Sequence, residues 1–139
     1  PDIQNNPEKF GDQVYVDEQD NIIGEIEKYL VSATELSLDD LYKIVTELHG
    51  LFIPAHIDRP VFSIPSQLGF LPPMDYSALE TTSLPCSVDS GDYTLIQNSD
   101  AHYIDEIAKR YSIYDAEELS FECIKSAIRK NKISLSSIA

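Results

Sequence analysis

Two short apolar runs in this chain each end in a histidine that has an aspartate two positions away. The runs and their polar ends are Leu51 to Ala55 with His56 and Asp58, and Tyr93 to Gln97 with Asp100 and His102. Helical patterns separate the strand-like runs, and this alternation is typical of an α/β fold with a parallel sheet. Ligands bind outside the carboxyl ends of such strands. We therefore expect both polar clusters to lie at one edge of a sheet.

The residue types in these clusters are those that bind divalent metals. If strand geometry continues to Asp100 and His102, their side chains point to the same face of the sheet. Imidazole and carboxylate groups that converge on one point suit a divalent metal, so we predict His56, Asp100 and His102 as ligands. Two alternatives stay open. His56 could be a structural histidine, and Asp100 could cap the helix that follows it.

Arg59 and Glu80 each have two interpretations, and His49 has a structural one. Arg59 is either the ion-pair partner of Asp58 or a contact for a phosphate group, because guanidinium binds oxyanions through two parallel hydrogen bonds. Glu80 ends a predicted strand between the clusters and is either a site acid or a surface residue. His49 is interpreted as structural, because a cation at a helix C-terminus complements the dipole.

The net charge of −14, from 24 acidic and 10 basic residues, limits the partners of the chain. It repels a phosphate backbone, which disfavours nucleic-acid binding, and it favours cations. No apolar run approaches the roughly 20 residues of a membrane span, and no signal peptide opens the sequence. Cys86 and Cys123 are too distant for a CxxC motif. One disulfide between them is possible, but two free thiols in a cytoplasmic protein are expected. The chain starts at Pro1, not Met, and we interpret it as a piece of a longer protein.

Local patterns predict most of the helices and strands. The predicted elements are a hairpin of 14–16 with 22–24, a helix over 25–31, a helix from Ser37 to Gly50, a strand over 51–55, a helical turn at 66–68, strands over 77–81 and 93–97, a helix over 103–111, a strand over 112–114, a helix from Ser120 to Asn131 and a strand over 133–135. No G-x-S-x-G motif, P-loop or dinucleotide fingerprint is present, so catalytic residues stay unassigned.

Three motifs together resemble the PHP family (polymerase and histidinol phosphatase) of metal-dependent phosphoesterases. They are Pro54-Ala55-His56-Ile57-Asp58-Arg59-Pro60, Ser66-Gln67-Leu68-Gly69-Phe70 and Asn98-Ser99-Asp100-Ala101-His102-Tyr103. The resemblance implies a distorted βα barrel whose strand ends bind zinc, manganese or iron, and a metal-activated water that hydrolyses a phosphate ester. By motif, His56 resembles the histidine of the third family motif, and Asp100 and His102 resemble the D-x-H of the fourth.

The sequence departs from the family at its first two motifs, H-x-H and D-H. No histidine precedes His49, so neither motif is present. We therefore expect residues 1–139 to form a single domain, the C-terminal half of a longer PHP-like domain. The expected fold class is α/β, the C-terminal part of a distorted βα barrel with a short N-terminal β-hairpin.

The resemblance also sets the expected function and partners. The chain is expected to be a fragment of a metal-dependent phosphoesterase that acts on a small-molecule phosphate ester or nucleotide, with Arg59 as a substrate contact. The alternative is a non-catalytic interaction or assembly module. Because a partial barrel exposes strand edges, we expect a homo-oligomer or association with the missing N-terminal half.

Overall fold

The computed structural model describes residues 2–137, which combine short helices with three two-stranded sheets. The elements are α1 (Pro7–Phe10), β1 (Val14–Val16), β2 (Ile22–Glu25), α2 (Leu38–Glu47), α3 (Ile64–Leu68), β3 (Leu79–Glu80), β4 (Leu95–Ile96), a 3₁₀ helix (Ile104–Glu106), β5 (Arg110–Tyr114), α4 (Phe121–Arg129) and β6 (Ile133–Ser137). The chain divides into two compact units between Leu41 and Tyr42. The strands within residues 2–137 close no barrel, and the PHP-like barrel stays a prediction.

The first unit contains the predicted hairpin. Strands β1 and β2 pair antiparallel, and the Asp17 carboxylate closes the turn by accepting hydrogen bonds from the backbone N–H groups of Gln19 and Asn21. The predicted helix over 25–31 is wrong. The Gln13 side chain donates to the carbonyls of Ile26 and Lys28 at 2.8 Å, which holds this segment extended beside the hairpin. Thus a distant amide group overrides a weak local helical pattern.

Helix α2 begins and ends close to the predicted positions. The Ser37 hydroxyl accepts a hydrogen bond from the backbone N–H of Asp40 at 3.1 Å, as expected of an N-cap. At the other end His49 takes a left-handed conformation, with φ of 58°, and Gly50 donates its N–H to the carbonyl of Val45. The residue that reverses the chain is therefore His49, although Gly50 was the predicted stop.

Three chain segments in the second unit run in the same direction. Strands β3 and β4 form a parallel pair. The segment 51–57 lies along the other side of β3, where Ser77 donates to the carbonyl of Phe52 at 2.9 Å and Ile57 donates to that of Glu80 at 2.9 Å. The predicted strand over 51–55 does not form as a regular strand, because Pro54 has no N–H to give to a ladder. The carboxyl ends of all three segments nevertheless meet at one edge.

A small apolar core supports this edge. Its buried members are Ala78, Ile96 and Ile128, and Leu51, Ile53, Tyr114, Ile124 and Ile133 pack against them. Helix α4 supplies Ile128 and is capped as predicted, since the Ser120 hydroxyl accepts the N–H of Cys123 at 3.3 Å. Both cysteines are free thiols. No helix among the described residues is long and apolar enough to cross a membrane.

The predicted helix over 103–111 is wrong beyond its first turn. Only Ile104–Glu106 is helical, in the 3₁₀ form, and Ala108 has a φ of 60°, which no helix accommodates. Strand β5 starts at Arg110 and pairs antiparallel with β6 over its whole length. Residues 110 and 111, which the local pattern assigned to a helix, therefore belong to this long-range β ladder.

Candidate functional site

The two predicted clusters meet through an ion pair. Arg59 Nη2 lies 2.6 Å from Asp100 Oδ2, and each side chain is 34% exposed. The loop after segment 51–57 and the loop after β4 are thereby joined, although 41 positions separate the two residues. The sequence indicated Asp58 as a possible ion-pair partner of Arg59, but in the structure this partner is Asp100.

Asp58 connects its own loop to the loop that follows β3. Its carboxylate accepts five hydrogen bonds, from the hydroxyl of Thr81, from the N–H and hydroxyl of Thr82, and from the N–H and hydroxyl of Ser83. Burial by itself would raise the pKa of Asp58, but the Ser83 hydroxyl and the other donors outweigh it and hold this pKa far below its usual range. The charged carboxylate of Asp58 therefore holds these two loops together.

Glu80, at the end of β3, bridges segment 51–57 and the loop after β4. Its Oε2 accepts the backbone N–H of His56 at 3.2 Å, and its Oε1 accepts the side-chain amide of Asn98 at 3.1 Å. The two sequence interpretations, a site acid or a surface residue, did not anticipate this bridging position. Together with Asp58 and the ion pair of Arg59, Glu80 fixes the loops that carry both histidines.

The three predicted metal ligands have different surroundings. His56 has a φ of 35°, and its buried Nδ1 has no hydrogen-bond partner among the described residues. The Asp100 carboxylate is held by Arg59, and His102 Nδ1 lies 2.9 Å from the backbone carbonyl of Asp100. Strand geometry does not continue to these residues, because β4 ends at Ile96 and Asp100 has a φ of 50°.

The fit of these residues to a metal ion is therefore incomplete. Within residues 2–137, no three His, Cys, Asp or Glu side chains are grouped so that they could hold a metal. The orphaned Nδ1 of His56 is a free ligand atom, but the Asp100 carboxylate already faces a guanidinium. The described residues therefore show no complete metal centre, and metal binding by His56, Asp100 and His102 stays a prediction.

A pocket of about 340 Å³ opens between the two joined loops and the start of β5. Its lining residues are Arg59, Ser99, Asp100, His102, Glu106, Lys109 and Arg110. Three of the ten Lys and Arg residues of the chain are among them, against two carboxylates. The pocket therefore gathers positive charge in a protein whose net charge is −14. We call it the cationic pocket.

Sequence reasoning missed Glu106, Lys109 and Arg110. Arg110 donates from Nη2 to the carbonyl of Ser99 at 2.9 Å, so it fixes the loop after β4. Glu106 accepts the N–H groups of His102 and Tyr103, and the His102 hydrogen bond is the main reason that its pKa lies below the usual range. The predicted helix over 103–111 gave these three residues no functional role.

A larger pocket, of about 410 Å³, lies at the opposite, amino-terminal ends of the parallel segments. Leu51, Ser77 and Thr94 line it, together with Lys125 and Arg129 of α4. Of the chain's three histidines it holds only His49, whose carbonyl accepts a hydrogen bond from Lys125 at 2.8 Å. Size alone would select this pocket, but the residues with candidate chemistry lie at the other end, where ligands of parallel sheets bind.

Comparisons with protein-family models, curated proteins and solved structures found no match for this chain. The resemblance to the PHP family therefore depends on the three motifs alone and stays a prediction.

Proposed function

We propose that this chain supplies the phosphate-binding part of a metal-dependent phosphoesterase that hydrolyses a small-molecule phosphate ester. The observation that carries the proposal is the cationic pocket, which places Arg59, Lys109 and Arg110 around one cavity at the carboxyl ends of parallel segments. Like charges repel, so a group of three cations is favourable only when anions lie close to it. Asp100 pairs with Arg59 and Asp105 pairs with Lys109 at 3.7 Å, so the cation that a phosphate would chiefly neutralise is Arg110.

The hydrogen bonds of the two arginines leave donors for such a ligand. Arg59 gives one hydrogen bond to Asp100, and a guanidinium carries five N–H groups. Arg110 donates only to the carbonyls of Asn98 and Ser99, which are neutral, so among residues 2–137 its charge has no carboxylate partner. Both side chains can therefore donate charge-assisted hydrogen bonds to phosphoryl oxygens.

Hydrolysis would require more than the binding of a phosphate group. The resemblance implies a cluster of divalent metals that would activate a water and neutralise the phosphoryl oxygens. The predicted ligands His56, Asp100 and His102 are not gathered around one point in the described residues. The role that we propose for this chain by itself is therefore the binding of the phosphate group.

Titration with inorganic phosphate, followed by ³¹P NMR, tests the proposal. The variants Arg59→Gln and Arg110→Gln each remove one pocket cation, and we expect each to weaken binding by about tenfold. Lys43→Gln makes the same charge change on the exposed face of α2 and should bind phosphate like the wild type. Equal affinity in all four proteins, or no binding by the wild type, would refute the proposal.

The exposed hairpin favours a second function, that of a non-catalytic interaction or assembly module. Its apolar side chains Val14, Val16, Ile22 and Ile23 are between 43% and 67% exposed. Val16 and Ile22 pair across the hairpin, and neighbouring exposed apolar side chains often mark a protein interface. Self-association in a chain that binds no phosphate would support this function over the first.

A further inference from the structure

We propose that the larger pocket, at the amino-terminal ends of the parallel segments, binds an α-amino acid with an apolar side chain. The cationic pocket lies at the other end of these segments, so this second site is independent of the proposed function. The lining residues offer charges of both signs beside an apolar wall, and an amino acid needs both. The volume of about 410 Å³ lies within the range of small-molecule sites in proteins.

Hydrogen bonds between distant segments hold the walls of the larger pocket in place. Lys125 Nζ of α4 donates to the carbonyl of His49, which follows α2, at 2.8 Å. The Thr94 hydroxyl, just before β4, donates to the carbonyl of Ile128 of α4 at 3.0 Å. Helix α4 is therefore attached to two other walls of the cavity, and a ligand would bind with little reorganisation of the protein.

Two tyrosines supply most of the apolar wall. Tyr76 is buried and Tyr93 is half-buried, and their rings meet edge to face with centroids 5.5 Å apart. The Tyr76 hydroxyl donates to the carbonyl of Pro72 at 2.9 Å, and the Tyr93 hydroxyl donates to that of Met74. Because both hydroxyl protons are already donated, the two side chains offer a ligand mainly ring surface. Such a surface favours an apolar side chain on the ligand.

The charged side chains of the larger pocket are of both signs, and three of them have no partner. Among residues 2–137, no ion pair or side-chain hydrogen bond involves Arg129, Asp75 or Asp92. Lys125 differs, because it donates to the carbonyl of His49 beyond the C-terminus of α2, where the helix dipole favours a cation. The pocket thus presents one unpaired cation and two unpaired carboxylates to a ligand.

A ligand with both charges matches these groups better than a simple anion or cation. An α-amino acid carries a carboxylate for Arg129 and an ammonium group for Asp75 or Asp92. A simple carboxylate would leave the two aspartates unmatched, and the net charge of −14 would repel it. A simple amine would leave Arg129 unmatched and would be repelled by it. Charge therefore favours the amino acid.

Calorimetric titration of this chain with four related probes tests the inference. L-leucine carries both charges and an apolar side chain, isocaproate lacks the ammonium group, isoamylamine lacks the carboxylate, and glycine lacks the side chain. We expect L-leucine to bind at least about fivefold more tightly than each of the other three. The reason is that each of them lacks either a charge-assisted hydrogen bond or an apolar contact.

Charge variants assign the two ends of the ligand. Arg129→Gln should lower the affinity for L-leucine at least about fivefold and should not weaken the binding of isoamylamine. The double variant Asp75→Asn with Asp92→Asn should lower the affinity for L-leucine by a similar factor and should not weaken the binding of isocaproate. Lys130→Gln and Asp89→Asn make the same charge changes outside this pocket and should bind L-leucine like the wild type.

Three outcomes would overturn the inference. They are no binding of L-leucine, an affinity for L-leucine no greater than that for the three other probes, and wild-type affinity for L-leucine in Arg129→Gln. Phosphate binding in the cationic pocket is measured separately, so none of these outcomes would overturn the proposed function.

Discussion

Arg59 Nη2 donates a hydrogen bond of 2.6 Å to Asp100 Oδ2, and this contact joins the two loops that carry the histidines of the site. Both side chains are 34% exposed, and ion pairs with that access to water contribute at most about 1 kcal/mol to stability. The importance of the pair is therefore geometric and electrostatic. It places a guanidinium at the cavity and at the same time occupies a carboxylate that was predicted to bind metal.

Asp100→Asn is expected to strengthen phosphate binding without a large change in stability. The substitution removes a negative charge from the cationic pocket and frees the Arg59 guanidinium for the ligand. We expect a gain of several-fold in phosphate affinity and a change below about 1 kcal/mol in the free energy of unfolding by urea. Asp115→Asn is the control, because Asp115 pairs at 3.3 Å with Lys132, which does not line the cationic pocket. Weaker binding by Asp100→Asn would show that Asp100 positions Arg59 rather than competing for it.

Asp58→Asn is expected to destabilise the second unit. The substitution replaces a carboxylate that accepts five hydrogen bonds by an amide whose nitrogen cannot accept any. We expect a loss of about 1–3 kcal/mol in the free energy of unfolding, measured by urea denaturation at neutral pH. Asp89→Asn is the control, since the Asp89 side chain accepts one local hydrogen bond from Gly91. Equal stability of the two variants would contradict the proposal that Asp58 holds the two loops together.

The lowered pKa of Asp58 predicts how the stability of the protein changes with pH. Hydrogen bonds hold the pKa of folded Asp58 far below that of an unfolded aspartate, which is about 3.9. The stability that Asp58 contributes is therefore complete above pH 5 and is lost as the pH falls below about 4 toward the folded pKa. The difference in unfolding free energy between the wild type and Asp58→Asn should shrink over that interval. A difference that stays constant from pH 6 to pH 3 would contradict this assignment.

Metal binding by the isolated chain is expected to be weak. Asp100 faces Arg59, and no three ligand side chains are grouped within residues 2–137. In a calorimetric titration with manganese we expect low affinity, which should increase in Arg59→Gln because the Asp100 carboxylate is then free. Lys43→Gln again controls for the change in net charge. Tight binding that persists in His102→Ala would exclude His102 as a ligand.

The elements that the sequence predicted well depend on neighbouring residues. The caps at Ser37 and Ser120 and the turn closed by Asp17 each involve hydrogen bonds within four positions. The wrong predictions involve distant partners. Gln13 reaches Ile26 and Lys28 to hold residues 26–28 extended, and β6 pairs with residues that had a helical pattern after Tyr103.

The candidate site shows the same division between local and distant information. The motifs identified His56, Arg59, Asp100 and His102, and the expected edge of a parallel sheet is where the structure brings Arg59 and Asp100 together. The ion-pair partner expected for Arg59 was its neighbour Asp58, and Asp100 was not considered, because only the folded loops bring these two distant residues together. Arg110 was missed because its contacts, the carbonyls of Asn98 and Ser99, leave no pattern in the sequence.

Self-association through the hairpin is the remaining prediction. A two-stranded hairpin is only marginally stable in water, and Ile22 and Ile23 of β2 are 67% and 60% exposed. Burial of such side chains against a second copy would remove apolar surface from water at about 25 cal/mol per Å². Light scattering at moderate salt, where the charge of −14 is screened, should therefore give a mass above that of the monomer. Ile22→Lys should lower this mass, whereas Leu119→Lys, at a 97% exposed position outside the hairpin, should not. A monomer at high concentration would show that the exposed apolar side chains of the hairpin do not cause self-association.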